Sequence, residues 1–338
     1  MTRTKTLAHI LACLAALFSL AAAAEAGAKI DERVVEAFHR LDAGDYAAAR
    51  AIVEPMAAEG DRQAQHMLGY LEQFGLGGPK NLQHAVDLYY KAALAGDADA
   101  EFALGELAFT GDGVVQDYAR AADWFRLAAA HKHPGAQARL GRMHAEGLGV
   151  PKDINVAVSL LEEAADANDP GAQYLLGNAY FAGAGVKQDY RKAADWYRRA
   201  AEQGHADAQY NLALLYGSEV LGAPDPKETY SWMRAAAEGG IAEAYVALGL
   251  MADDGKTPEG EKAADWFEKG AGAGDPQGMI LYAVALAKGD GRQANPNLAL
   301  VWVDRVLARK GEIPGELIAN ARALREDIAA AMKAGEGR

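Results

Sequence analysis

The chain has 338 residues, 51% of them apolar, with 37 glycines, 11 prolines, a single cysteine and a formal net charge of −13. That length exceeds what one hydrophobic core usually serves, so the chain must divide into domains or grow by stacking repeats. The apolar content argues against disorder, and the acidic balance argues against nucleic acid or anionic lipid as partners.

The first residues read as an export signal. Arg3 and Lys5 precede an apolar run from Leu7 to Ala24, small residues follow, and cleavage is expected after Ala24 or Ala26, giving a segment 1–26. The run is 18 residues long, near the lower limit of a bilayer span, so an uncleaved anchor is the alternative. Its alanine-rich composition inserts weakly, which favours cleavage. Cys13 would leave with the segment, so the mature chain would hold no thiol, disulfide or Cys-metal site. Loss of Arg3, Lys5 and Glu25 would move the net charge from −13 to −14. No later stretch approaches a membrane span, so the expected product is soluble, periplasmic or secreted.

A short helical pair is expected over 30–61, from Val34 to Leu41 and, after Ala43-Gly44-Asp45-Tyr46, around Ala49. Self-similarity dominates from residue 62. Leu68-Gly69 recurs as Leu104-Gly105, Leu140-Gly141, Leu176-Gly177, Leu212-Ala213 and Leu248-Gly249, each 36 residues after the last, with a looser copy at Tyr282-Ala283. Twenty residues after each leucine comes a bulky residue: Leu88, Trp124, Leu160, Trp196 and Trp232, then Trp266 after a two-residue deletion, then Trp302. The stripes Ala100/Leu104/Leu107 and Ala121/Trp124/Phe125/Ala128/Ala129 have helical spacing, so each unit predicts two helices with one core face apiece. The tryptophan or leucine is expected to fill the layer between neighbours.

Gly-x-Gly pairs (75/77, 111/113, 147/149, 183/185, 289/291) mark the end of each first helix. Asn81, Asp117, Asp153, Asp189, Asp225, Glu259 and Asn295 stand where the second helix needs a cap. The boundaries expected are 62–97, 98–133, 134–169, 170–205, 206–240, 241–275 and 276–311. An amphipathic helix (Leu317, Ile318, Ala321, Leu324, Ile328, Ala331) within 312–338 would close the last repeat.

The unit Ala-x-x-x-Leu-Gly, Gly-x-Gly-Val, Asp, Ala-Ala-x-Trp-Tyr, Ala-Ala-x-x-Gly resembles the Sel-1-like repeat, a relative of the tetratricopeptide repeat. The match is strongest at 98–133 and 170–205. Residues 30–61 resemble a degenerate tetratricopeptide-like pair. The fold class expected is all-α, a right-handed α-solenoid of about seven helix-turn-helix repeats with capping helices at both ends.

Chemistry is hard to find in the chain. His131, His133, His144 and His205 form no ligand pattern such as His-Glu-x-x-His and read as solvated turn residues. No Gly-x-Ser-x-Gly occurs, and the glycine loops lack the Lys-Ser/Thr of a phosphate loop. Neither a catalytic residue, a metal nor a cofactor is expected. Some cysteine-rich exported relatives are linked to β-lactam binding or hydrolysis, but their disulfides have no counterpart after Cys13.

What varies between repeats is a second face of the first helix, at positions −3, +1 and +4 from the Gly of Leu-Gly. In tetratricopeptide-like arrays this face lines a concave groove. The candidates are Tyr70, Phe102, Glu106, Phe109, Arg142, Tyr174, Asn178, Phe181 and Tyr210, with packing against the neighbouring repeat as the alternative for Phe102, Tyr174 and Tyr210. Aromatic residues with isolated polar groups suit a protein or peptide partner. The resemblance implies an adaptor that assembles complexes, with an envelope spacer as a further alternative.

Overall fold

The computed structural model describes residues 31–336; the expected signal segment and Cys13 lie outside them. Among the described residues there are seventeen α-helices. The first pair is α1 (Glu32–Asp42) and α2 (Tyr46–Ala58). Repeats one to four pair α3 (Arg62–Phe74) with α4 (Leu82–Leu94), α5 (Ala98–Thr110) with α6 (Tyr118–Ala130), α7 (Pro134–Glu146) with α8 (Ile154–Asp166), and α9 (Pro170–Ala182) with α10 (Tyr190–Glu202). Repeats five to seven pair α11 (Ala206–Gly217) with α12 (Pro226–Glu238), α13 (Ala242–Asp253) with α14 (Ala263–Gly272), and α15 (Pro276–Lys288) with α16 (Pro296–Ala308). The final helix is α17 (Gly315–Glu336). This is an all-α repeat solenoid. None of the described helices is long and apolar enough to cross a membrane.

The chain forms two compact units, one ending at Leu175 and the other beginning at Leu176. The first unit starts with a core that joins α1 and α2 (Val34, Ala37, Phe38, Leu41, Val53, Met56) to Ala64, Leu68 and Leu71 of α3. The second ends with one that joins α15 and α16 to Ile318, Ala321 and Ile328 of α17. The N-terminal pair and the final helix thus each cover the apolar face that an end repeat would leave bare.

Inside a repeat the two helices meet at the Gly of Leu-Gly. A Cβ built on Gly105 would lie 2.5 Å from the Phe125 ring; at Gly177 it would lie 2.5 Å from Tyr197, at Gly249 2.3 Å from Phe267, and at Gly69 2.8 Å from Tyr89. The missing side chain is the seat of the aromatic ring. Where alanine stands instead, the facing residue changes too: Ala213 goes with Met233, and Ala283 with Val303.

This geometry corrects the expectation for the tryptophans. The buried filler is the residue after the tryptophan: Phe125 is 0%, Tyr197 2% and Phe267 4% exposed. Trp196, Trp266 and Trp302 are half-buried, with Arg199, Lys269 and Arg305 over their rings at 4.4, 4.0 and 4.3 Å. An indole is too large for the gap left by one absent Cβ, so it lies at the rim, where a cation can cover its face.

The helix ends follow the capping logic. Asn81, Asp117, Asp153, Asp189, Asp225 and Asn295 each accept a backbone N–H from the first turn that follows, at about 1 kcal/mol each. Glu259 does not cap. The deletion removes part of the first turn of α14, which begins at Ala263 without a side-chain cap. There Glu261 accepts from the Tyr230 hydroxyl at 2.5 Å and from Trp266 Nε1 at 3.0 Å, tying the shortened loop to both helices. In the Gly-x-Gly loops the first glycine ends the helix in the left-handed region, as Gly147 does at φ +79°. The second, Gly149 at φ +67°, lets the loop touch the start of α6, where a Cβ would stand 2.3 Å from the Tyr118 carbonyl carbon.

The Gly–aromatic contact is testable. Alanine is the better helix former by about 0.5–1 kcal/mol, yet Gly105→Ala is expected to destabilise the chain by about 1–3 kcal/mol through overpacking against Phe125. Adding Phe125→Met, which recreates the Ala213/Met233 pairing, should recover part of that loss. Urea midpoints of the three variants measure the coupling.

Candidate functional site

The nine candidate positions all lie on first helices, but they do not share one environment. In the first unit most are engaged within the fold. Tyr70 is only 9% exposed and belongs to the N-terminal core, with its ring 4.9 Å from Phe74. It is therefore not on an open face, because α1 and α2 cover the first repeat. Phe102 stacks on His133, the residue that caps α7, at 4.6 Å and 18° and lies 5.6 Å from Phe125. Glu106 is held by Arg139 of the next repeat at 2.7 Å. Phe109 meets Tyr118 edge-on at 5.1 Å, while Arg142 lies 5.2 Å over its ring and 3.8 Å from Glu146. Tyr174 is half-buried.

The second unit is more open. Asn178 accepts a 2.6 Å hydrogen bond from the Tyr197 hydroxyl and one of 3.4 Å from Asn211 Nδ2 of the following repeat. Tyr210 packs beside the core of repeats five and six. Burial first, then the charges of Glu243 and Asp275, hold its phenol above the ordinary value. Phe181 is 45% exposed, with one edge on Tyr190 at 5.4 Å. Leu214 and Leu250, at the +1 position of the next two repeats, are 47% and 44% exposed. Positions +1 and +4 are three residues apart and share a helix face, so three successive first helices each present one large apolar side chain on that face. Beside Tyr190 lies an open depression of about 550 Å³, lined by Tyr180, Val186, Lys187, Arg191, Lys192 and Val220.

Two classes of residue escaped the sequence reading. Gln65, Gln173 and Gln209 are buried, and each donates to the carbonyl eight residues earlier (Ala57, Ala165 and Ala201) at 3.0–3.2 Å, tying the end of one repeat to the start of the next. Their recurrence four positions before the Gly was the available signal. The turn histidines are also corrected. His133 and His205 cap α7 and α11, with Nδ1 accepting from Ala136 N at 3.1 Å and Ala208 N at 3.3 Å. They occupy the repeat position that Asp61, Asp97 and Asp275 fill elsewhere. His131 reaches back to buried Glu101 at 2.9 Å.

The model of the Sel1 repeat matches seven consecutive segments, residues 62–97, 98–133, 134–169, 170–205, 206–241, 242–275 and 276–305. The chain belongs to the Sel1 repeat family. Among solved structures it is similar to a Sel1 repeat protein from Oxalobacter formigenes at 30% identity and a TM-score of 0.63, over 71% of this chain and 97% of that one. A protective antigen of uropathogenic Escherichia coli displaying an SLR fold is similar at 23% identity and 0.45, over 93% and 83% of the two chains. The immunity protein Pa5087 of Pseudomonas aeruginosa is similar at 23% and 0.42, over 57% and 74%. No curated protein matches the chain. A Sel1 solenoid is generally a scaffold for protein–protein interaction, so its variable surface is where a partner is sought.

The two environments separate by mutation. Asn178→Ala removes the acceptor of the Tyr197 hydroxyl and should cost about 1 kcal/mol. Phe181→Ala, at an exposed position, should stay within about 0.5 kcal/mol of the parent. Thermal melts followed by circular dichroism distinguish the two.

Proposed function

We propose that this Sel1 repeat protein is an exported, non-catalytic scaffold that binds an apolar segment of a partner protein on the first-helix face of its second unit. The observation that carries the reading is the set of Phe181, Leu214 and Leu250, each 44–47% exposed, at positions +4, +1 and +1 of the same face of α9, α11 and α13. Large apolar groups held on rigid helices lose little entropy on binding and supply most of the energy of a small interface. Lys187, Arg191 and Lys192 around the neighbouring depression are a local cationic patch on a chain of net charge −13. They favour a partner segment that also carries carboxylates, which would speed encounter and set orientation. The corresponding face of the first unit is engaged in Glu106–Arg139 and Phe109–Arg142 contacts, which supports a reading centred on the second unit.

Crosslinking and pull-down from the native envelope test the binding face. A partner retained by the parent and by Tyr70→Ala/Phe102→Ala, but lost from Phe181→Ala/Leu214→Ala/Leu250→Ala with unchanged circular dichroism, is the expected result. Equal capture by all three would move the binding surface elsewhere. Export rests on Arg3, Lys5 and the apolar run that follows. Mass spectrometry of the protein isolated from its native cells should show a new N-terminus at Glu25 or Gly27, and a chain still beginning at residue 1 or 2 would refute cleavage.

A further inference from the structure

The second repeat departs from its siblings at the start of its first helix. Where repeats one, three, four and five carry an acidic or histidine cap followed four residues later by a glutamine, α5 opens with Asp97, Asp99 and Glu101, all buried at 4% exposure. Glu101 is matched by His131. Asp97 caps the helix, its Oδ1 accepting from Ala100 N at 2.9 Å, and lies 3.9 Å from His66 Nδ1 of α3, too far for a hydrogen bond. Asp99 is the anomaly. Its side chain is 3% exposed, and its Oδ1 accepts no hydrogen bond among the described residues. His133 Nε2 approaches that oxygen to 3.2 Å without hydrogen-bond alignment. A buried carboxylate oxygen without a hydrogen bond costs several kcal/mol in general, and a bound ion is one of the few things that explains it.

His66, Asp97 and Asp99 each offer a ligand atom, and these atoms all lie within 4.8 Å of one another. Two carboxylates and a neutral imidazole balance a dication. The imidazole selects a transition ion such as zinc over magnesium or calcium, which take oxygen ligands. Zinc bonds of about 2.0–2.2 Å set tetrahedral ligand separations near 3.3–3.6 Å, so the three groups need to close by about 1.5 Å or less. His133 serves as an outer partner: its Nδ1 accepts from Ala136 N, which leaves the proton on Nε2, facing the Asp99 carboxylate.

We propose that His66, Asp97 and Asp99 bind one zinc-class divalent ion between the first and second repeats, with water completing the coordination and His133 supporting Asp99. The ion would pin α3 to the start of α5, a structural role independent of the partner surface in the second unit.

Untagged full-length protein stripped with EDTA, then titrated with zinc chloride at neutral pH in a calorimeter, tests this. One ion per chain and a rise in melting temperature on zinc addition are expected. Asp99→Asn and His66→Gln should each weaken binding at least tenfold while keeping the helical circular-dichroism spectrum of the metal-free parent. No heat and no thermal shift would overturn the proposal, as would binding that neither substitution weakens, since the zinc would then sit on other groups.

Discussion

In four of the seven repeats the approach of the two helices depends on a side chain that is absent. The Gly of Leu-Gly leaves room for an aromatic ring from the second helix, and the ring occupies the space a Cβ would take at Gly105, Gly177 and Gly249. Because interiors are packed to crystal-like density, adding a side chain at the glycine requires the facing ring to change as well. The chain carries its own demonstration: alanine at 213 comes with flexible Met233, and alanine at 283 with small Val303. The contact also assigns the neighbouring side chains, since a ring seated on the glycine sends the preceding tryptophan to the rim, where arginine or lysine covers it.

Polar groups join one repeat to the next. Buried glutamines return hydrogen bonds to the carbonyls that close the preceding helix, and aspartate or histidine caps the start of the following one. These bonds answer the amides and carbonyls that every helix end leaves unpaired, so a solenoid of short helices needs them at each junction. The second repeat alone puts a glutamate, Glu101, in the glutamine's place and buries Asp99 beside it, so buried ionisable groups are concentrated at one junction of the array.

The first-helix face shows why family membership does not name a partner. The same three positions per repeat are core or ion-paired at Tyr70 and Glu106 and open at Phe181, Leu214 and Leu250. Core positions are held by packing, whereas this face is free to differ from repeat to repeat, and binding specificity resides in what differs.

The repeat length, the two helices per unit, their caps at Asn81 through Asn295 and the glycine-ended loops were legible in the chain because they rest on local rules: helical spacing, left-handed glycine and side chains that accept free amides. Position 259 could not be read this way, since the deletion altered the turn that the cap would serve. Which of two adjacent residues, Trp124 or Phe125, is the core filler was likewise not legible, because both lie on the same helical face and only the space above Gly105 chooses between them. The surroundings of Tyr70, and the meeting of His66 with Asp97 and Asp99 from separate helices, were decided by tertiary structure alone, since burial and proximity between residues about thirty apart arise only when repeats stack.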